Sequence, residues 1–218
     1  MKVILLGSTG LIGKNCLKFL SNDIAVDKVT ALVRKKTDVN LLKAEEVVFD
    51  YDNAEKQQEI IVGDVLVCCL GTTIKKAKSK EAFKKVDLEY PVKLAKIASQ
   101  NGIKHLIVIS SIGADVNGST FYLKVKGEME EQIKKIPFQT ISILRPSILF
   151  GDRDEFRLGE KIGIGFMKLT GPLFFGKFSK YRGIEAETIA IAINKLIKRP
   201  HNSIEVFESD EIKTLASS

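Results

Sequence analysis

Runs of aliphatic and β-branched residues alternate along the chain with segments whose apolar positions recur every three or four residues. The runs predict strands at 2–7 (KVILLG), 28–33 (KVTALV), 46–49 (EVVF), 64–70 (DVLVCCL), 105–110 (HLIVIS), 139–144 (QTISIL) and 203–208 (SIEVFE). Several are continuously apolar rather than alternating, as strands covered on both faces are. Helical spacing covers 11–21, 80–100, 120–135 and 186–198. Strand and helix in alternation predict βαβ units and a parallel sheet. Tyr90-Pro91 predicts a kink or break inside 80–100, because proline lacks the amide hydrogen and crowds the preceding turn. Asn101-Gly102 supplies a stop for that helix. From 152 to 183 the periodicity weakens and Gly, Phe and Lys accumulate, so a lid or substrate loop and a weakly patterned helix pair are equally compatible with it.

At 218 residues the chain fits one domain, large enough to bury a core without disulfides or metal. Its three cysteines, Cys16, Cys68 and Cys69, are odd in number, and two lie inside an apolar run. They read as reduced thiols of a cytosol-like compartment, and the predicted localisation is cytoplasmic. His105 and His201 are far apart and share no ligand spacing with the cysteines, so no metal site is predicted. His105 reads as a structural residue in a buried strand. No apolar stretch approaches the ~20 residues of a membrane span. The net charge of +7 suits anionic ligands without choosing among them. Lys75, Lys76, Lys78, Lys80, Lys84 and Lys85 form a lysine run with only Phe83 interleaved, which reads as a solvated face and not a nucleic-acid surface.

The chemistry begins at Gly7-Ser8-Thr9-Gly10-Leu11-Ile12-Gly13, directly after the first strand and opening the first helix. In a dinucleotide fingerprint Gly7 makes the tight turn, Gly10 admits a pyrophosphate and Gly13 lets helix and strand pack closely. The helix N-terminus then offers unpaired amides and a positive dipole. The predicted fold class is therefore α/β, a Rossmann-like doubly wound parallel sheet with a small C-terminal substrate or lid region. The second strand ends in Val33-Arg34-Lys35-Lys36, where an NAD-selective site would carry an acid for the ribose 2′-hydroxyl. Basic residues there would pair with a 2′-phosphate, which predicts NADPH over NADH. Asp50, in competition with Asp52, is a candidate for the adenine side. Leu70 and Gly71, at the end of the fourth strand, should border the cofactor, while the adjacent thiols pack into the two sheet faces.

Tyr122 and Lys126 stand four apart and so share one helix face. A phenol with the ordinary pKa of about 10 is a poor acid–base group at neutral pH, and a neighbouring ammonium favours its ionised form. Ser110 or Ser111, ending the fifth strand, would polarise a carbonyl beside Tyr122. The loop 112–121 must turn tightly to allow this, and Gly113 and Asn117-Gly118 permit it.

These segments, together with Gly113-Ala114-Asp115, Arg145-Pro146 and Asp152-Arg153 through Arg157-Leu158-Gly159-Glu160, resemble the atypical branch of the short-chain dehydrogenase/reductase superfamily, most of all the Tat-interacting-protein oxidoreductase-like family. The resemblance implies NADPH contacts from Ser8, Thr9, Gly10, Leu11, Ile12, Arg34, Lys35, Leu70, Gly71, Tyr122, Lys126, Leu149 and Arg157, with Tyr122 as acid–base. The family's polar pair in the glycine turn is Leu11-Ile12 here. Two functions follow as expectations. One is an NAD(P)H-dependent oxidoreductase acting on a small carbonyl or alcohol; the other is a non-catalytic NADPH-binding redox sensor working through protein partners. The partners expected are a small-molecule substrate and a homodimer mate, with neither nucleic acid nor membrane.

Overall fold

In the computed structural model, residues 1–37, 39–150, 182–199 and 202–218 are described. Seven strands form one parallel sheet among them: β1 (Lys2–Leu6), β2 (Lys28–Val33), β3 (Ala44–Val48), β4 (Val65–Cys68), β5 (His105–Ile109), β6 (Thr140–Arg145) and β9 (Ile204–Glu208). Their order is β3-β2-β1-β4-β5-β6-β9, so the chain winds outward from β1 in one direction and then from β4 in the other. Two short strands, β7 (Leu149–Phe150) and β8 (Ile184–Glu185), pair separately.

The interiors of the central strands β1, β4, β5 and β6 are buried on both sides, and their side chains alternate between two cores. Ile4, Leu6, Leu66, Cys68, Leu106 and Val108 face one; Val3, Leu5, Val65, Val67, Ile107 and Ile109 face the other. The first core is closed by α3 (Lys80–Lys84), α4 (Tyr90–Gln100) and α5 (Phe121–Ile133), through Phe83, Leu94, Val125 and Met129. The second is closed by α1 (Leu11–Asn22), α6 (Ala186–Leu196) and α7 (Ser209–Ser217), through Leu17, Leu20, Ile189 and Ile212. Helices on both faces explain why the strands read as unbroken apolar runs.

The break foreseen at Tyr90-Pro91 takes a definite form. Five residues of π-helix, Lys85–Glu89, join α3 to α4, and Pro91 sits in the first turn of α4, where a missing amide hydrogen costs least. Gly102, at φ +85°, ends α4 as expected. Five elements were not anticipated: the short strands β7 and β8, a 3₁₀ segment (Ala54–Ile60), the one-turn α2 (Ile74–Ala77), and α7. The α7 segment begins in a capping box in which Glu208 and Glu211 satisfy each other's backbone amides. His105 is buried in β5, its ring 3.3 Å from the Ser142 hydroxyl.

Among the described residues no helix is long and apolar enough to cross a membrane, and no cluster of His, Cys, Asp or Glu could hold a metal ion. The segment 152–183 lies outside the described residues except for Arg182 and Gly183, and Arg157 and His201 fall outside them too.

Candidate active site

In a sheet wound both ways the crevice opens at the carboxyl ends of the strands where the winding reverses, here between β1 and β4. The three glycines of the first turn play different parts there. Gly7 has φ +77°, and a Cβ on it would lie 2.7 Å from the Cys69 carbonyl oxygen beyond β4. Gly13, inside α1, has no room at all: its Cβ would sit 2.0 Å from the Gly7 oxygen. Gly10 is exposed and caps α1 without a side-chain bond, so the first amides of the helix are left for a ligand. The Ser8 hydroxyl oxygen is buried with no hydrogen-bond partner. A close-packed turn with unspent donors and an orphaned hydroxyl fits a dinucleotide's pyrophosphate.

Arg34 and Lys35 emerge exposed from the end of β2, on the same edge. Asp50 lies past β3, but its carboxylate accepts the amide hydrogens of Asp52 and Asn53 and a bond from the Asn53 side chain at 2.8 Å, which lowers its pKa. Asp52 is held by Tyr90 at 2.6 Å and Lys85 at 2.7 Å. Both carboxylates are thus engaged in ordering the loop before the 3₁₀ segment. Half-buried Leu70 and exposed Gly71 follow β4, which ends at Cys68 and not at residue 70 as expected, and Leu149, in β7, packs against the second core.

The cysteines behave as packing groups. Cys68 belongs to the first core, and burial pushes its thiol up to about 12. Cys69 packs on the second core, with its sulfur 3.9 Å from that of Cys16. The contact with Cys16, helped by burial, raises the Cys69 thiol well above its ordinary range. Neither is a thiolate at neutral pH.

Tyr122 and Lys126 come from α5, whose N-terminus is capped by the Thr120 hydroxyl accepting from Leu123. The Tyr122 ring is half-buried and tilted against Phe83, 5.9 Å between centroids. Lys126 is buried at 3% exposure and forms an ion pair with Asp87 at 3.0 Å, with the Ile109 carbonyl at 3.5 Å. Burial alone would drive its ammonium toward the neutral form; the charge and hydrogen bond of Asp87 outweigh this and raise its pKa. An ammonium has three donors, so one remains for a ligand.

The two serines separate cleanly. Ser110 is buried and donates to Glu130 at 2.5 Å, and Arg145 clasps the same carboxylate with bonds of 2.9 and 2.6 Å. Its hydroxyl is spent on that network, which corrects its candidacy as a substrate-polarising group. Ser111 is half-buried, with only a long 3.4 Å contact to the Ile112 carbonyl. The tight loop after it turns through Gly113 at φ +77° and packs on α5 at Gly127, where a Cβ would lie 2.3 Å from the Asp115 carbonyl carbon.

Asp87, Glu130 and Gly127 were not singled out from the sequence as site-building residues. Gly127 does follow Lys126 directly, and a glycine in a helix interior is a signal of close backbone approach. Asp87 gave no such signal, because its inward aim depends on the π-helical turn.

A parallel sheet whose reversal point carries a glycine cradle, with Ser111, Tyr122 and Lys126 on the adjoining strand end and helix, has the Rossmann-like architecture of a dinucleotide-binding protein. Residues 7–162 match the family described as NAD(P)H-binding, and the chain belongs to that family. It is 33% identical to Protein HTATIP2 of Rattus norvegicus over 96% of this chain and 87% of that protein. It is 36% identical to Protein FMP52, mitochondrial, of Candida albicans over 71% of this chain and 70% of that one. In fold it is similar to the oxidoreductase ylbE of Lactococcus lactis, with a TM-score of 0.69 at 21% identity, covering 100% and 98% of the two chains.

Proposed function

We propose that the protein is an NADPH-dependent reductase or dehydrogenase acting on a small carbonyl or alcohol. The observation that carries this reading is the pairing of a buried, charged Lys126 with Tyr122 on one face of α5, beside the end of β5. A dinucleotide held by these residues would supply or take the hydride at its nicotinamide ring. Tyr122 gives a proton to the substrate oxygen in reduction and removes it in oxidation. Ser111 orients that oxygen, and Lys126 holds the ribose side of the cofactor with its remaining donor while favouring transfer at the phenol. Gly7, Gly10 and Gly13 shape the pyrophosphate seat, with the amides of Leu11 and Ile12 and the hydroxyls of Ser8 and Thr9 as donors. Arg34 and Lys35 select the 2′-phosphate through charge-assisted bonds. Leu70, Gly71 and Leu149 wall the site.

A reducing, cytosol-like compartment is part of the proposal; the name of the Candida albicans relative places that protein in mitochondria.

Tyr122→Phe tests the reading. Screened against carbonyl compounds, the wild type should oxidise NADPH, and the variant should lose turnover by about 10²–10⁴ while still binding NADPH. Turnover that survives the substitution would overturn Tyr122 as the acid–base. Absence of turnover in the wild type, with NADPH still bound, would favour a sensor.

A further inference from the structure

Asp87 lies at the centre of the π-helical turn between α3 and α4, 1% exposed. One carboxylate oxygen faces the Lys126 ammonium at 3.0 Å, and the other accepts the Thr72 amide hydrogen at 2.8 Å. Gly71 lies beside it, a Cβ on Gly71 making an ordinary van der Waals contact of 3.5 Å with the carboxylate. Asp87 therefore joins two parts of the candidate site that are 54 residues apart, since Thr72 follows β4 and Lys126 lies on α5. A buried ion pair is a poor means of stabilising a fold, because an apolar pair of equal volume usually does as well or better. A π-turn inserted into a helix is frequent at functional sites.

We propose that Asp87 is a positioning residue of the cofactor site: it keeps Lys126 charged in an apolar interior and ties it to the Gly71-Thr72 loop. The proposal rests on the reading of Lys126 as a cofactor-holding group. The groups that face Lys126 are Asp87 from the π-turn, Tyr122 from α5, Cys68 from β4 and the Ile109 carbonyl from β5. Of these, Asp87 brings the carboxylate. With that charge removed, burial is opposed by far less, and the pKa of Lys126 should fall.

The test is the NADPH dissociation constant of wild type and Asp87→Asn between pH 6.5 and 9.5. Asparagine retains an acceptor for the Thr72 amide and loses only the charge. The ratio of the two constants should be a few-fold at pH 6.5 and grow about tenfold per unit that the pH exceeds the lowered lysine pKa. Lys126→Met should be weakened by a similar factor at every pH. A ratio that stays constant across the range overturns the proposal while leaving the cofactor reading intact. Failure of the wild type to bind NADPH overturns both. If Asp87→Asn alone does not fold, urea unfolding of Lys126→Met and of Lys126→Met/Asp87→Asn decides. The double variant should be the more stable, because the asparagine leaves no unpaired buried charge, and equal or lower stability contradicts the pairing.

Discussion

Gly13 shows how a single hydrogen atom can be the functional group. In a helix interior, glycine to alanine ordinarily stabilises by about 0.5–1 kcal/mol. Here the added carbon would meet the Gly7 oxygen at 2.0 Å, so α1 would have to move off the turn it anchors. Gly13→Ala should lower the melting temperature and abolish NADPH binding, and a stabilised, binding-competent variant would show that the contact is soft. The serines give a second test. Ser110→Ala removes a bond to a buried carboxylate that Arg145 still holds, and should cost about 1–3 kcal/mol in urea unfolding with little loss of turnover. Ser111→Ala should do the reverse. At this scale the glycines, Tyr122 and Lys126 were legible in the sequence because each type is chemically distinctive at its spacing. The choice between the serines was not. It depends on Glu130 and Arg145, which reach Ser110 only once α5 and β6 are packed together.

Among the elements, α1 and α6 are tied together at one end by Asp23, which pairs with Lys198 at 2.6 Å and accepts from Asn194 at 2.7 Å. Burial opposes ionisation of Asp23, but those two bonds and the Ala25 amide prevail and lower its pKa below the ordinary 3.8. A lowered carboxylate contributes stability above its unfolded pKa and loses it as the pH falls through the folded value. Acid unfolding should therefore steepen below about pH 4, and Asp23→Asn should flatten that limb; an unchanged profile would remove Asp23 from the account. The end of α4 offers a cleaner backbone test. Gly102 sits at φ +85° with no atom within 4 Å of the place a methyl group would take, so Gly102→Ala meets strain without a clash. It should cost about 1–2 kcal/mol, measured by urea unfolding. Strands and long helices were readable from periodicity, since burial on two faces or one leaves its mark on every turn. The π-turn was visible only as trouble near Pro91, and the 3₁₀ segment and α2 are too short to impose a period.

At the level of the molecule, the winding order brings residues from four separate stretches of chain to one edge of the sheet. That convergence was predictable, because a glycine turn between strand and helix implies a parallel sheet and a crevice at its reversal point. The basic excess of +7 should draw a multiply anionic cofactor, and the affinity for NADPH should fall as salt is added. The most direct test of the whole account is a titration of the purified protein with NADPH and NADH, followed by nicotinamide fluorescence. Saturable NADPH binding, with NADH at least tenfold weaker and the difference lost in Arg34→Ala/Lys35→Ala, is the predicted result. Binding of neither nucleotide would contradict the account.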